Sequence, residues 1–189
     1  MDAAQFASAY ALTTSIGLRP FLTLALASLA MHFGYLHPSH PFAYLGTDGA
    51  TVVLAVLAIL EFAGDKVPAV DNALHVVHFA IKPVAAAILV GSALPDTSGT
   101  GAYAAMGLGA LNALGVHTAS ATARGASTAM TVGVANPVLS FAEDGMAVVT
   151  VVAAFAAPFL AAFFAVLITC LLAIVAIRVV RLVARRRAR

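Results

Sequence analysis

Tryptophan is absent from this 189-residue chain and cysteine occurs once, at Cys170. A single thiol excludes a disulfide framework and a cysteine metal cluster. Because Cys170 lies in an apolar run, it is expected to be buried and inert. Charge is scarce too: Asp, Glu, Lys and Arg make up 10% of the residues, against about 25% in soluble domains. That scarcity excludes an ordinary water-soluble fold. The N-terminal Met1-Asp2-Ala3-Ala4-Gln5 lacks the basic stretch of a cleaved signal peptide, so the first apolar segment is expected to stay as a span. Also missing are a His-Glu-x-x-His motif, a Gly-x-Ser-x-Gly elbow and a P-loop, which removes the usual signatures of zinc proteases, α/β-hydrolases and NTPases.

What is present is hydrophobic, at 62% of residues and a mean hydropathy of +1.00. At about 20 apolar residues per helical span, the chain has room for five or six short-looped segments. The expected fold is therefore an all-α polytopic helical membrane protein with broken or re-entrant helices, one transmembrane domain over 1–177. The tail 178–189 holds Arg178, Arg181, Arg185, Arg186, Arg187 and Arg189, six of the ten basic residues. Read by the positive-inside rule, this tail is cytoplasmic. The lipid bilayer is the expected partner; neither nucleic acid nor a cofactor is expected.

Along the chain, segment one (about Phe6 to Phe33) is interrupted by Gly17-Leu18-Arg19-Pro20, where proline predicts a break with a cation at it. The stretch from Gly34 to Gly49, with His37 and His40, reads as an interfacial loop. Segment two, about Ala50 to Gly64, ends in Glu61 and Asp65, which share a helical face. Segment three follows Pro68 and runs to about Ser92. On it Asp71, His75, His78 and Lys82 stand at offsets of 0, 4, 7 and 11, one polar stripe on an apolar helix. After a turn at Leu94 to Gly99, segment four runs from about Ala102 to His117, with Gly107, Gly109, Ala113 and Gly115 allowing close packing, including homo-oligomeric packing. A polar stretch, Thr118 to Asn136, holds Arg124; Asn136-Pro137 breaks it, and Glu143-Asp144 follows. Segment five, Gly145 to Ile177, has 33 uncharged residues, long enough that Pro158 is expected to divide it or its ends to project from the bilayer.

Two motifs recur. Ser15-Ile-Gly-Leu-Arg19 resembles Ser120-Ala-Thr-Ala-Arg124, and Leu60-Glu-Phe-Ala-Gly-Asp65 resembles Leu139-Ser-Phe-Ala-Glu-Asp144. As an internal two-fold repeat, this predicts a Ser-x-x-x-Arg at a helix break in each half and broken segments meeting near the midplane. Within the apolar body Arg19, Lys66, Lys82 and Arg124 match Glu61, Asp65, Glu143 and Asp144 in number, so the interior is neutral if they pair. Such a network either holds broken helices together or serves a function, and ionisable groups inside membranes are usually functional.

Gly17 to Phe21, Leu60-Glu61-Phe62-Ala63-Gly64-Asp65-Lys66-Val67-Pro68, His78 to Pro83 and Asn136-Pro137-Val138-Leu139-Ser140-Phe141-Ala142-Glu143-Asp144 together resemble the bacterial membrane family named domain of unknown function 4126. The likeness spans nearly the whole chain; Lys82 stands where Arg is expected, and Ala135 where Gly is expected. The resemblance implies an integral membrane protein and brings no activity with it; the expected location is the bacterial inner membrane.

The residues favour a small transporter or channel-like protein for an ion or a small polar or anionic solute. Arg19, Glu61, Asp65, Lys66, Asp71, His75, His78, Lys82, His117, Arg124, Asn136, Glu143 and Asp144 would form its polar network. The alternatives are an intramembrane enzyme acting on a lipid or lipid-linked substrate, with Asp71, His75 and His78 as weak metal candidates, or a non-catalytic membrane scaffold.

Overall fold

The computed structural model describes the backbone of residues 3–94 and 98–187, and the side chains within those ranges except at 68, 69, 71, 72, 183, 184, 186 and 187. Among the described residues there are seven α-helices and one 3₁₀-helix, and no strand: α1 (Ala3–Leu18), α2 (Pro20–His32), the 3₁₀ turn His40–Gly46, α3 (Asp48–Gly64), α4 (Pro68–Ala93), α5 (Thr100–Thr131), α6 (Asn136–Ala156) and α7 (Pro158–Arg187).

The hub is α1. Every residue from Ala11 to Leu18 is buried, because α1 packs against α2, α4, α5, α6 and α7. A helix with no charged residue, built mostly of Ala, Leu, Ile, Ser and Thr, suits a position enclosed on all sides. Its threonines stay helical by turning their hydroxyls back onto the backbone, as Thr13 and Thr14 do by donating to the Tyr10 carbonyl at 2.9 and 3.2 Å. At Gly17 the helices come so close that a Cβ would lie 2.5 Å from Val116 Cβ and 2.8 Å from the Ala113 carbonyl of α5. Only glycine permits that approach.

At Arg19, extended with φ −134° and ψ 90°, the chain doubles back. The Ser15 and Thr23 hydroxyls, eight residues apart, are 2.7 Å from each other. In one straight helix they would be separated by about 12 Å of rise. α2 then runs antiparallel to α3: Phe21 and Leu22 lie at Glu61, while Ser28, further along α2, meets Leu45 and Thr51 near the start of α3. The beginning of α1 and the end of α6 share the other end of the bundle, where Ser8 donates to the Ala154 carbonyl at 2.8 Å. There too the loop after α2 is tied to the end of α4, with Ser39 donating to Gly91 and Ser92 carbonyls. The Arg19 tip thus projects inward from that end, toward the Glu61 end of α3.

The polar stretch after His117 does not leave the helix, because Thr118, Thr122 and Thr131 donate to the carbonyls four residues earlier, each at 2.8 Å. Arg124 therefore sits inside a continuous α5, not at a break. That helix ends at Val132 and Gly133, both at positive φ, and Asn136-Pro137 opens α6. Glu143 and Asp144 lie within α6. The long uncharged run is divided at Ala157-Pro158. Cys170 is exposed: α7 packs through a small-residue seam that includes the fully buried Ala161 and Ala165 and turns its other faces outward.

Among the described residues three helices are long and apolar enough to cross a membrane, Ala73–Ala93, Asn136–Ala156 and Pro158–Leu182, or four if His40–Gly46 and Asp48–Gly64, bent by 64°, count as one. The apolar helices make this a membrane-embedded protein. The helix of α7 continues through Arg178, Arg181 and Arg185.

Candidate functional site

A chain that doubles back inside a protein exposes the carbonyls ending one helix and the N–H groups starting the next. At the Arg19 tip the Gly17 and Leu18 carbonyls and the Phe21 and Leu22 N–H groups have partners. The Lys82 ammonium, from the middle of α4, donates to the carbonyls of Gly17 at 2.9 Å and Leu18 at 3.0 Å. On the other side, Glu61 Oε2 accepts from the N–H groups of Phe21 at 3.2 Å and Leu22 at 3.3 Å. Pro20 has no N–H to satisfy, and Thr23 N–H donates to the Arg19 carbonyl. A cation thus faces the C-terminus of α1 and an anion the N-terminus of α2, the signs that both helix dipoles favour.

Lys82 spends its third proton on His117 Nδ1 at 2.9 Å. That nitrogen must then be unprotonated, so the proton of a neutral His117 is on Nε2, which donates to the His75 carbonyl at 3.3 Å. His75 and His78 rings lie 5.6 and 6.3 Å from the His117 ring, and Phe79 meets it edge-on at 4.6 Å. His78 Nε2 stands 3.4 Å from Glu61 Oε1.

Next to this layer Arg19 projects into three carboxylates. It pairs closely with Asp65, lies 2.7 Å from Asp144 Oδ1 and 3.4 Å from Glu143 Oε2, and donates to the Ser140 hydroxyl and carbonyl at 2.9 and 3.0 Å. Arg124 forms a close ion pair with Glu143 and reaches Asp65 at 3.8 Å, while the Ser120 hydroxyl donates to Glu143. Lys66 completes the set, donating to Ser140 Oγ at 2.8 Å, lying 3.5 Å from Asp144 and covering the rings of Phe62 and Phe141 at 3.8 and 4.6 Å. Arg19, Arg124 and Lys66 balance Asp65, Glu143 and Asp144, as Lys82 balances Glu61. The cluster is formally neutral with its histidines neutral, which lets so much charge leave water.

Between the two layers is a void of about 10 Å³ walled by Leu18, Arg19, Asp65, Leu74, His75, His78, Lys82, Arg124 and Glu143. That is close to the space one water requires, and the polar wall suits one.

Of the thirteen residues named from sequence, eleven meet here: Arg19, Glu61, Asp65, Lys66, His75, His78, Lys82, His117, Arg124, Glu143 and Asp144. Asn136 does not join them. It donates to Thr128 Oγ1 at 2.9 Å, near the start of α6. The Asp71 side chain lies outside the described residues. Among those residues no group of three His, Cys, Asp or Glu side chains is arranged to hold a metal ion. Ser120 and Ser140 stand in the recurring motifs but were not among those thirteen; Ser120 donates to Glu143, and Ser140 accepts from Arg19 and Lys66.

No curated protein and no solved structure is similar to the chain. The family model described as a domain of unknown function, DUF4126, matches residues 6–178, a range that takes in the whole cluster, and the protein belongs to that family.

Proposed function

We propose that the protein is a small transporter of the bacterial inner membrane that passes protons through the charged cluster. The observation carrying this reading is the water-sized void enclosed by Arg19, Asp65, His75, His78, Lys82, Arg124 and Glu143. Nothing bulkier than water fits there, while a proton needs only a water and neighbouring groups that exchange it. Ionisable side chains inside a membrane are costly and are kept for such uses.

The topology we attach to this reading is five crossings, the bent pair His40–Gly46 and Asp48–Gly64 as one and α4 to α7 as the others, with α1 and α2 as a re-entrant hairpin. At 16 and 13 residues, or about 24 and 20 Å, α1 and α2 are each too short for a hydrocarbon core of about 30 Å. The Arg178, Arg181 and Arg185 end would face the cytoplasm and the N-terminus the opposite side. Two contacts support an internal repeat: Arg19 lies between Asp65 and Asp144, which correspond in the two motifs, and the corresponding rings of Phe62 and Phe141 meet at 5.8 Å.

The test is proton flux into liposomes holding a pH-sensitive dye, under an imposed gradient with valinomycin. Flux above that of protein-free liposomes, reduced at least tenfold by Glu143→Gln and by Asp65→Asn, is expected. Parent protein no faster than empty liposomes rules it out. A second reading, in which the cluster only pins the hairpin, is favoured by the four hydrogen bonds that Lys82 and Glu61 make at the Arg19 tip. It predicts no flux in the parent and loss of folding in Lys82→Met.

A further inference from the structure

A second cavity, of about 230 Å³, opens on the outside of the bundle between α2, α3 and α6. Leu22, Ala58, Ile59 and Phe62 make it apolar, and Glu61 and Asp144 supply its carboxylates. Ile59 and Phe62 are exposed, so in a bilayer the opening faces lipid.

Glu61 differs from the other carboxylates of the cluster. Asp65, Glu143 and Asp144 each have an arginine or lysine nitrogen within ion-pair distance. At Glu61 the ion-pair partner is His78, at 3.4 Å, and the other neighbours are the N–H groups of Phe21 and Leu22. Glu61 is 2% exposed, and its Oε1 is buried with no hydrogen bond. Asp144 Oδ2, 3.5 Å from Lys66, also has none. A buried carboxylate oxygen without a donor is costly, and an arriving ammonium would remove that cost at the wall of an apolar cavity.

We infer that this lateral groove binds a compact amphipathic amine, its ammonium donating to Glu61 and Asp144 and its apolar part lying along Leu22, Ile59 and Phe62. The chemistry needed is a cation that can donate hydrogen bonds and an apolar body able to reach the site through lipid. The volume is below the roughly 300–1,000 Å³ of drug-sized sites, which limits the body to about one ring.

The test is calorimetric titration of the purified full chain in detergent micelles with 2-phenylethylammonium and with its neutral counterpart 2-phenylethanol. The amine is expected to bind at least ten times more tightly than the alcohol. Glu61→Gln is expected to erase that preference. Ala58→Phe fills the groove without removing a carboxylate, and it is expected to weaken amine binding at least tenfold even if Glu61→Gln fails to fold. No amine binding by the parent, equal binding of the alcohol as for a groove that only holds acyl chains, or full amine binding by Ala58→Phe overturns the proposal. Binding is read without a gradient, so its failure is separable from a failure of proton flux.

Discussion

Replacing Lys82 with methionine would remove the cation that closes α1 while keeping the length and apolar stem of the side chain. Three acceptors lose their donor at once: the Gly17 carbonyl, the Leu18 carbonyl and His117 Nδ1. A buried acceptor left unsatisfied costs about 1–3 kcal/mol, giving a gross loss of about 3–9 kcal/mol. Against it stands the desolvation of the ammonium, no longer incurred and worth several kcal/mol. Glu61 also loses the cation that balances it in the cluster. The net expectation is a destabilisation of about 3–5 kcal/mol, the range for breaking a buried charged group away from its partners. Lys82→Arg keeps the charge but replaces a compact three-proton donor with a planar fork, and about 1–2 kcal/mol is expected there. The assay is unfolding in mixed micelles of rising SDS fraction, followed by circular dichroism at 222 nm. A Lys82→Met stability within about 0.5 kcal/mol of the parent, the ordinary range for surface changes, would show that the tip of the hairpin needs no cation.

Two further outcomes follow from packing. Gly17→Ala places a methyl group 2.5 Å from Val116 Cβ and 2.8 Å from the Ala113 carbonyl, so α1 and α5 must separate; a loss of about 1–3 kcal/mol is expected in the same unfolding assay, and an unchanged midpoint would show that the helices do not approach this closely. Cys170, exposed on α7, is expected to react in proteoliposomes with an uncharged maleimide and not with a membrane-impermeant sulfonated one; complete labelling by the charged reagent would place that face of α7 in water.

Much of the site was legible because charge in an apolar chain stands out. Eleven of the residues singled out by charge or helical spacing share one cluster, since desolvation leaves buried ions little choice but to find each other. Asn136 misled for an instructive reason: a polar residue beside proline marks a helix start as readily as a site, and here its amide donates to the Thr128 hydroxyl instead. The continuity of α5 was hidden because serine and threonine weaken helices in water but satisfy themselves on the backbone when packed, as Thr118 and Thr122 do. Cys170 was read as buried because apolar surroundings in sequence do not distinguish a protein core from lipid. The carbonyls of Gly17 and Leu18 could not be foreseen as ligands of Lys82, since backbone groups become partners only once the chain's path is known.

Arginines and carboxylates from opposite halves of the chain are energetically joined inside the bundle, and a double-mutant cycle on Arg19→Gln and Asp144→Asn measures that joining. Arg19 Nε and Asp144 Oδ1 are 2.7 Å apart, and contacting charges in one network couple by about 0.5–3 kcal/mol. Unfolding of the parent, both single variants and the double variant is predicted to give a coupling of at least about 1 kcal/mol, within that range. Additive losses, agreeing to within about 0.3 kcal/mol as for distant sites, would contradict the account.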